Sequence, residues 1–437
     1  MRRVFDAAYR RGRLPSLSKS SASRMLSTAA DIKDAVIVSY ARTPIGKFNG
    51  HMAGLTAPQL GAAAVREAVA RACVDPGLVE EAFLGNVVSA GVGQAPARQA
   101  VIYADLPKSV PCTTVNKVCA SGMKAIMLAA QSVSLGQRQV MVAGGFESMS
   151  NVPHYLLGSR KGYRLGNGKL VDGVIHDGLW DVYNDHHMGL CGEVCAEKYG
   201  FSREEQDDYA AESYRRAAHA WEKGLFADEV FGVEVPQRKR TLEMNKDEEY
   251  TNVDLSKLKT LRPAFKQKDG TVTAANASSL NDGAAAMVLM SGTKAAELGL
   301  KPLARIRGYG DAARDPVEFT VAPSDAVPVA LKNAGVGLSD VDYHEINEAF
   351  SVVALANMKA RAFPLEPKKY IHLLGLDPSK VNVNGGAVAL GHPIGMSGAR
   401  IVGALYHVLR QKDGTIGCAS ICNGGGGASA IVLERLF

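Results

Sequence analysis

Val115-Asn116-Lys117-Val118-Cys119-Ala120-Ser121-Gly122-Met123-Lys124-Ala125 carries a cysteine from an extended run straight into a helix. Val110 to Val118 alternates small, β-branched and polar residues as a strand does, whereas Met123, Ile126, Met127, Ala130 and Val133 recur at helical spacing. A thiol at a helix start meets unpaired N–H groups and the positive end of the dipole, so a lowered pKa is expected for Cys119. The alternative is a small buried core residue, the commoner fate of a free cysteine. Strands alternating with helices on both sides of this junction imply a parallel, layered α/β sheet with functional turns at strand carboxyl ends. Working outward, Ala35 to Ser39 reads as a first strand, Ala57 to Ala72 as a helix, Ala82 to Val88 as a second strand, and Gln139 to Ala143 as a strand running into Gly144-Gly145.

The same order returns near the end of the chain. Ser397 to Val402 opens a helix, Ile416 to Ile421 follows as a strand, and Gly424 to Gly427 closes the unit. A period of about 280 residues means a duplicated domain rather than an array of short repeats. Two such halves packed face to face would bring their strand-end loops into one cleft. Between them, 151–273 has more charge and aromatics and reads as an insertion. It holds a helix announced by the capping box Ser202/Glu205. Arg238, Lys239, Arg240, Lys257, Lys259, Arg262, Lys266 and Lys268 gather along its polar loops, as a solvated face or an anion-binding rim.

The totals bound the function. With 437 residues, 46 % hydrophobic and 22 % charged, the chain has ample material for two to three domains. It has no uninterrupted apolar run of about 18 residues, so no membrane span is expected. Seven cysteines without a C-x-x-C pair give neither a disulfide framework nor a zinc signature. The formal charge of +6 is local: residues 1–30 hold seven Lys and Arg against Asp6, and beyond them 43 basic residues face 43 acidic ones. That leader, Arg-rich and Ser-rich, has the composition of a mitochondrial transit peptide; a disordered basic tail is the alternative. A neutral body argues against nucleic-acid binding. There is no G-x-G-x-x-G after a first strand and no P-loop motif, so nucleotide phosphates are not the expected ligand.

Three further clusters sit on turns of the second half: His344 to Phe350, Asn384 to Gly395 with His392 before Pro393, and Cys422-Asn423 ahead of four glycines. Singly, His392 and Cys422 suit a structural histidine and a core thiol as well as catalysts. Two cysteines, a histidine and an asparagine on glycine-rich strand-end turns suit covalent catalysis with an oxyanion hole.

V-C-A-S-G around Cys119, G-G-F-E-S-M-S at Gly144 to Ser150, N-E-A-F at Asn347 to Phe350, G-G-A-V-A-L-G-H-P-I-G at Gly385 to Gly395 and C-N-G-G-G-G at Cys422 together resemble the thiolases, in order, from about Val36 to Leu436. His187-Met188-Gly189 and Ala274 to Ser278 are similar to the short-chain, mitochondrial acetoacetyl-CoA subgroup. The resemblance implies two duplicated β-α-β-α-β-α-β-β halves forming a layered α/β/α/β/α core with an inserted loop domain. On this reading 1–30 is the transit peptide, 31–150 plus 274–300 the first half, 151–273 the CoA-binding loop domain and 301–437 the second half. It implies an acyltransferase of the mitochondrial matrix that thiolyses acetoacetyl-CoA to acetyl-CoA by a ping-pong route, serving ketone-body metabolism and isoleucine degradation. A broad-chain 3-ketoacyl-CoA thiolase and an idle acyl-CoA or lipid binder are the alternatives.

By the same resemblance Cys119 is the nucleophile and His392 its base, while Cys422 handles the α-proton. Asn347, through a held water, and His392 form one oxyanion site; the N–H groups of Cys119 and Gly424 form the other. Coenzyme A, a substrate, falls to His187, Met188, Tyr214, Asn252, Val253, Asp254, Lys257 and Ser278. A potassium ion falls to Tyr214, Ala274, Ala275, Ala277 and Val388; no catalytic metal is implied, and a homotetramer is. Two departures stand out. Phe319-Thr320 replaces the Phe-Pro of members that accept 2-methyl-branched substrates, and 362–376 is an extra stretch expected as a surface loop.

Overall fold

The computed structural model describes residues 34–359, 362–365, 369–372 and 374–437, so the leader 1–30 lies outside the described residues. The first half runs β1 (Ala35–Arg42), α1 (Ala57–Ala72), β2 (Glu81–Gly85), α2 (Pro96–Tyr103), β3 (Cys112–Val115), α3 (Ser121–Ser134), β4 (Val140–Ser148) and, after the insertion, β5 (Asn281–Ser291). The insertion contributes α4 (Met188–Tyr199) and α5 (Arg203–Glu222). The second half runs β6 (Ala304–Ala313), α6 (Pro323–Ala334), β7 (Tyr343–Ile346), α7 (Ser351–Met358), α8 (Ile394–Gln411), β8 (Ile416–Asn423) and β9 (Gly427–Arg435).

Strand order makes the duplication visible. The path is β7-β8-β9-β6-β1-β5-β4-β2-β3, so the first strands of the halves sit side by side and the order mirrors outward from them. They touch through only two residue pairs, Val36 with Arg305 and Ile37 with Ala304. In each half the outer pairs are parallel and those near the centre antiparallel. The second half departs from its template in its third strand, which is a single bridge between His344 and Val381. Asp377-Pro378 opens a 3-10 turn through Lys380, and Asn382 turns to φ 48, so one residue is left extended.

Alternation along the strands builds the layers. In β4 and β5, Val140, Val142, Ala284, Ala286 and Val288 meet the outer helices α1 and α2. Their neighbours Met141, Ala143, Ala285, Met287 and Leu289 face inward, onto Met123, Ile126, Met396 and Ile401 of α3 and α8. Ile431 and Leu433 of β9 pack on the same centre from the second half, while Ala428, Ala430 and Val432 pack on α6. Helices α3 and α8 are therefore the middle layer of an α/β/α/β/α stack. A central layer must be apolar all round, and α8 is buried from Ile394 to Leu409.

The insertion is anchored by a buried cation. Arg42, at the end of β1, donates from Nε to Glu229 (2.6 Å) and through both terminal nitrogens to Asp247 (2.8 and 3.1 Å). The capping box at Ser202/Glu205 forms as expected and starts α5 at Arg203. The extra stretch is a correction: it folds as an antiparallel hairpin, pairing Ala362–Leu365 with Lys369–His372. Residues 366–368 between its strands lie outside those described. Among the described residues no helix is long and apolar enough to cross a membrane.

Candidate active site

Cys119 sits on a tight turn between β3 and α3. Asn116 Oδ1 accepts from the Val118 N–H (3.0 Å), and Asn116 Nδ2 donates to the Val87 carbonyl (3.2 Å). Ser121 Oγ accepts from the Lys117 N–H (2.8 Å) and donates to the Val118 carbonyl (2.6 Å). These bonds hold Val118 at φ 48, a conformation that is costly for a β-branched residue, on the order of 1–3 kcal/mol. The strain orients the residue after it. The N–H of Gly424, which belongs to the other half, and the residue's own N–H both favour the Cys119 thiolate.

Those donors do not lower the thiol as expected. Burial dominates and pushes Cys119 up to about 11, with the Glu147 carboxylate adding to it. The helix-start argument is thereby corrected: two N–H bonds favour the thiolate, but desolvation outweighs them. Cys422, near the end of β8, is fully buried, and burial followed by the neighbouring Cys119 charge drives it well above the ordinary thiol range. Burial thus favours the protonated form of both thiols.

His392 precedes α8. Its N–H donates to Asn281 Oδ1 (2.8 Å), and its Nδ1 lies 2.5 Å from Ser397 Oγ. Ser397 already gives its hydrogen to the Pro393 carbonyl (2.9 Å), so its oxygen accepts from Nδ1–H. The network thus assigns the tautomer and leaves Nε2 unprotonated, its lone pair accepting from the Asn347 amide and able to take a proton. Nε2 faces the Asn347 amide nitrogen at 3.5 Å. Asn347 is fully buried and its Oδ1 has no hydrogen-bond partner among the described residues. Burial, helped by Arg400, pushes the His392 pKa down to about 3, so the resting imidazole is neutral.

Two buried carboxylates fix the cleft walls. Glu147, at the end of β4, accepts from Asn86 Nδ2 (2.8 Å) and the N–H groups of Val87 (3.0 Å) and Gly395 (3.0 Å), tying the first half to the start of α8. Glu348 accepts from Tyr209 (2.7 Å), Ser213 (2.8 Å), Asn382 (2.8 Å) and the Val388 N–H (3.1 Å), pinning the Asn347 loop to α5. The sequence reading gave no role to Ser397, Asn281, Glu147 or Glu348. Glu147 and Glu348 lay inside quoted motifs, but nothing in their spacing said what they would hold.

The other expected residues divide. Met188 reaches the cleft: a side chain added at Gly424 would meet it at 3.7 Å, and it shares an apolar cluster with Cys422. His187 caps α4 by accepting the Gly189 N–H (3.0 Å) and stacks on Phe265. Ser278 Oγ donates to the Ala349 carbonyl (2.9 Å). Asn252, Asp254 and Lys257 form an exposed rim, with Asp254 paired to Lys257 (3.1 Å) and Val253 partly buried beside them. Glu249, just before this rim, accepts from Asn281 Nδ2 (3.2 Å), the residue that also holds His392. Tyr214 is buried in the core with Val388 and offers no open face to a large ligand.

A potassium ion needs oxygens without other duties. The carbonyls of Ala274, Ala275 and Ala277 accept no hydrogen bond among the described residues, and Ala275 and Ala277 are buried. This donor set fits a hard cation.

Three buried histidines give the fold a pH signature. His392 and His407 are pushed down to about 3 and His344 to about 4, in each case first by burial. They are neutral when folded and take up protons below about pH 6.5 when unfolded, so stability falls as pH drops from about 6.5 toward 4. Each contributes a slope of about 1.4 kcal/mol per pH unit. His407, whose ring nitrogens have no partner among the described residues, can be replaced alone. Urea unfolding of His407→Phe between pH 7 and pH 4 should lose about a third of the acid sensitivity assigned to these groups; an unchanged slope would refute the assignment.

The family description "Thiolase, N-terminal domain" matches residues 35–293, and "Thiolase, C-terminal domain" matches 300–435. The chain is 57 % identical over 404 residues to "Acetyl-CoA acetyltransferase 1" of Arabidopsis thaliana, covering 92 % of this chain and 94 % of that protein. It is 54 % identical to "Acetyl-CoA acetyltransferase, mitochondrial" of Xenopus tropicalis, covering 93 % of each. Among solved structures, the Acat5 thiolase from Ascaris suum in complex with coenzyme A superposes with a TM-score of 0.85 at 46 % identity, over 92 % of this chain and all of that one.

Proposed function

The chain belongs to the thiolase family of acyltransferase enzymes, and from that premise we propose that it is an acetyl-CoA C-acetyltransferase, reversibly thiolysing acetoacetyl-CoA by a ping-pong route through acetyl-Cys119. The observation that carries this reading is the approach of the Gly424 N–H, from the opposite half, to the Cys119 thiol, together with a neutral His392 whose Nδ1 is held by Ser397 and whose Nε2 is unprotonated.

Cys119 attacks the keto carbon of acetoacetyl-CoA while its proton passes to His392 Nε2. Proton and bond move together, because neither a standing thiolate nor a standing imidazolium is stable there. The new Nε2–H and the Asn347 amide, through a held water, then face one oxyanion, and the N–H groups of Cys119 and Gly424 face the other. The carbon–carbon bond breaks, the acetyl group stays on Cys119, and the departing enolate takes the Cys422 proton to leave as acetyl-CoA. Free coenzyme A returns a proton to Cys422 and attacks acetyl-Cys119. The Cys119 sulfur leaves and recovers its proton from His392.

Coenzyme A is placed along His187, Met188, Ser278 and the rim Asn252, Val253, Asp254 and Lys257, and potassium at Ala274, Ala275, Ala277, Val388 and Tyr214, for which free carbonyls are the support. The division 31–150 plus 274–300, 151–273 and 301–437 belongs to the same proposal. So do a homotetramer, checked by light scattering, and a mitochondrial matrix location. The Arg- and Ser-rich leader and the mitochondrial name of one relative support that location. A reporter fused to residues 1–30 that stays in the cytosol overturns it.

Steady-state kinetics test the activity. Acetoacetyl-CoA should be thiolysed at least about tenfold more efficiently than a long-chain 3-ketoacyl-CoA, with turnover raised by potassium. A long-chain preference would indicate a broad-range thiolase of β-oxidation, and no turnover of either an acyl-CoA or lipid binder.

A further inference from the structure

Just ahead of α4 the chain makes a small hairpin in which Trp180 pairs with His187 and Asp181 with His186. Cross-strand partners project to the same face of a hairpin. Cys191, one turn into α4, is buried against His186. Among the described residues this is the one place where three metal-ligating side chains converge, with one ligand atom from each all within 4.8 Å of one another.

We propose that Asp181, His186 and Cys191 form a site for a borderline divalent transition metal, Zn2+ being the ion that the ligands suit best. His186 Nε2 lies 3.4 Å from Cys191 Sγ and 3.7 Å from Asp181 Oδ2. Zinc bonds of about 2.0–2.3 Å at tetrahedral angles put ligand atoms about 3.3–3.6 Å apart, so the two separations from His186 are near those of a tetrahedral site, and the third atom pair lies within 4.8 Å. The fourth corner is left for water. A thiol, an imidazole and a single carboxylate disfavour Mg2+ and Ca2+, which want oxygen throughout.

The ligands are held from behind, as metal ligands need. Asp181 Oδ1 accepts from the N–H groups of Tyr183 (2.9 Å) and Asn184 (3.3 Å), and its Oδ2 from Asn184 Nδ2 (2.7 Å). Cys191 is placed by the His187 cap on α4. Asp181 and Cys191 are buried, while His186 is 21 % exposed and provides the way in. On binding, the metal–sulfur bond replaces the Cys191 S–H bond and the proton leaves to solvent. Cys191 shares an apolar cluster with Met188 and Cys422, so a filled site braces the insertion against the catalytic wall.

The test titrates Co2+ into the metal-free full chain and follows the sulfur-to-cobalt charge-transfer band and the tetrahedral visible bands, with Zn2+ as competitor. The Cys119→Ser chain serves as a second host, because the catalytic thiols could also bind metal. One equivalent should bind in both hosts, and His186→Asn and Cys191→Ser should each weaken binding about 100-fold or more. His186→Asn lies at the exposed edge and keeps the fold, which circular dichroism verifies, so the test does not hang on the core variant. No charge-transfer band, an unchanged band in His186→Asn, or loss of the band in Cys119→Ser would each overturn the proposal.

Discussion

Cys119→Ser should lower kcat/KM for thiolysis of acetoacetyl-CoA by roughly 10^3-fold or more, and incubation with acetyl-CoA should leave no acetyl group on the protein by intact-mass spectrometry. A serine hydroxyl is far less acidic than a thiol, and here even the thiol is held up to about 11 against a His392 pushed down to about 3. Proton transfer between the resting groups is already uphill, and a hydroxyl would make it more so. The replacement is smaller by only part of an atom, and the turn is held by Asn116 and Ser121 rather than by the sulfur. Stability should therefore fall by no more than about 1–2 kcal/mol. Near-wild-type thiolysis by the serine chain would remove Cys119 from the mechanism.

Gly145→Ala should cost about 4 kcal/mol or more and yield little soluble protein. Gly145 lies in β4 where the strand passes beneath the start of α8. A side chain there would put its first carbon 2.0 Å from the Gly395 carbonyl oxygen and 3.1 Å from the Gly122 Cα. Both are backbone atoms of the middle layer, so no rotamer relieves the clash. Gly424→Ala is the control: its added methyl meets Val118 at 3.5 Å, an ordinary contact, and its N–H is kept. It should unfold at the wild-type urea concentration. If Gly145→Ala does the same, the close approach of β4 and α8 is wrong.

The duplicated halves, the inserted segment and the position of Cys119 between strand and helix could be read from the sequence. The helix expected over Ala57–Ala72 forms with those bounds, and its start is fixed locally, by the Thr56 N–H donating to Gln59 Oε1 with Pro58 in the first turn. The third strand of the second half was not legible, since its repeat partner predicted a strand while Pro378 and Asn382 reduced it to one bridge. The pairing of Ala362–Leu365 with Lys369–His372 is not legible in the sequence, because it is specified by nothing but adjacency. In the site, residue types were legible and environments were not. The helix start argues for an acidic Cys119, and only the packing of the two halves reveals the burial that reverses it. Ser397 fixes the His392 tautomer from five residues away, and Asn281 fixes its backbone from 111, with no shared motif.

The insertion within the first half bears on how the chain is made. Strand β4 ends at Ser148, and its antiparallel neighbour β5 begins at Asn281, so about 130 residues must be synthesised before that edge of β4 is covered. At ribosomal rates of about 5–20 residues per second, this leaves an apolar strand edge open for roughly 7–26 s. Pairings of such sequence separation also close slowly. An uncovered edge of Val, Met and Ala is a template for pairing with another nascent chain, so vectorial synthesis itself makes the first half a client for chaperones until β5 arrives.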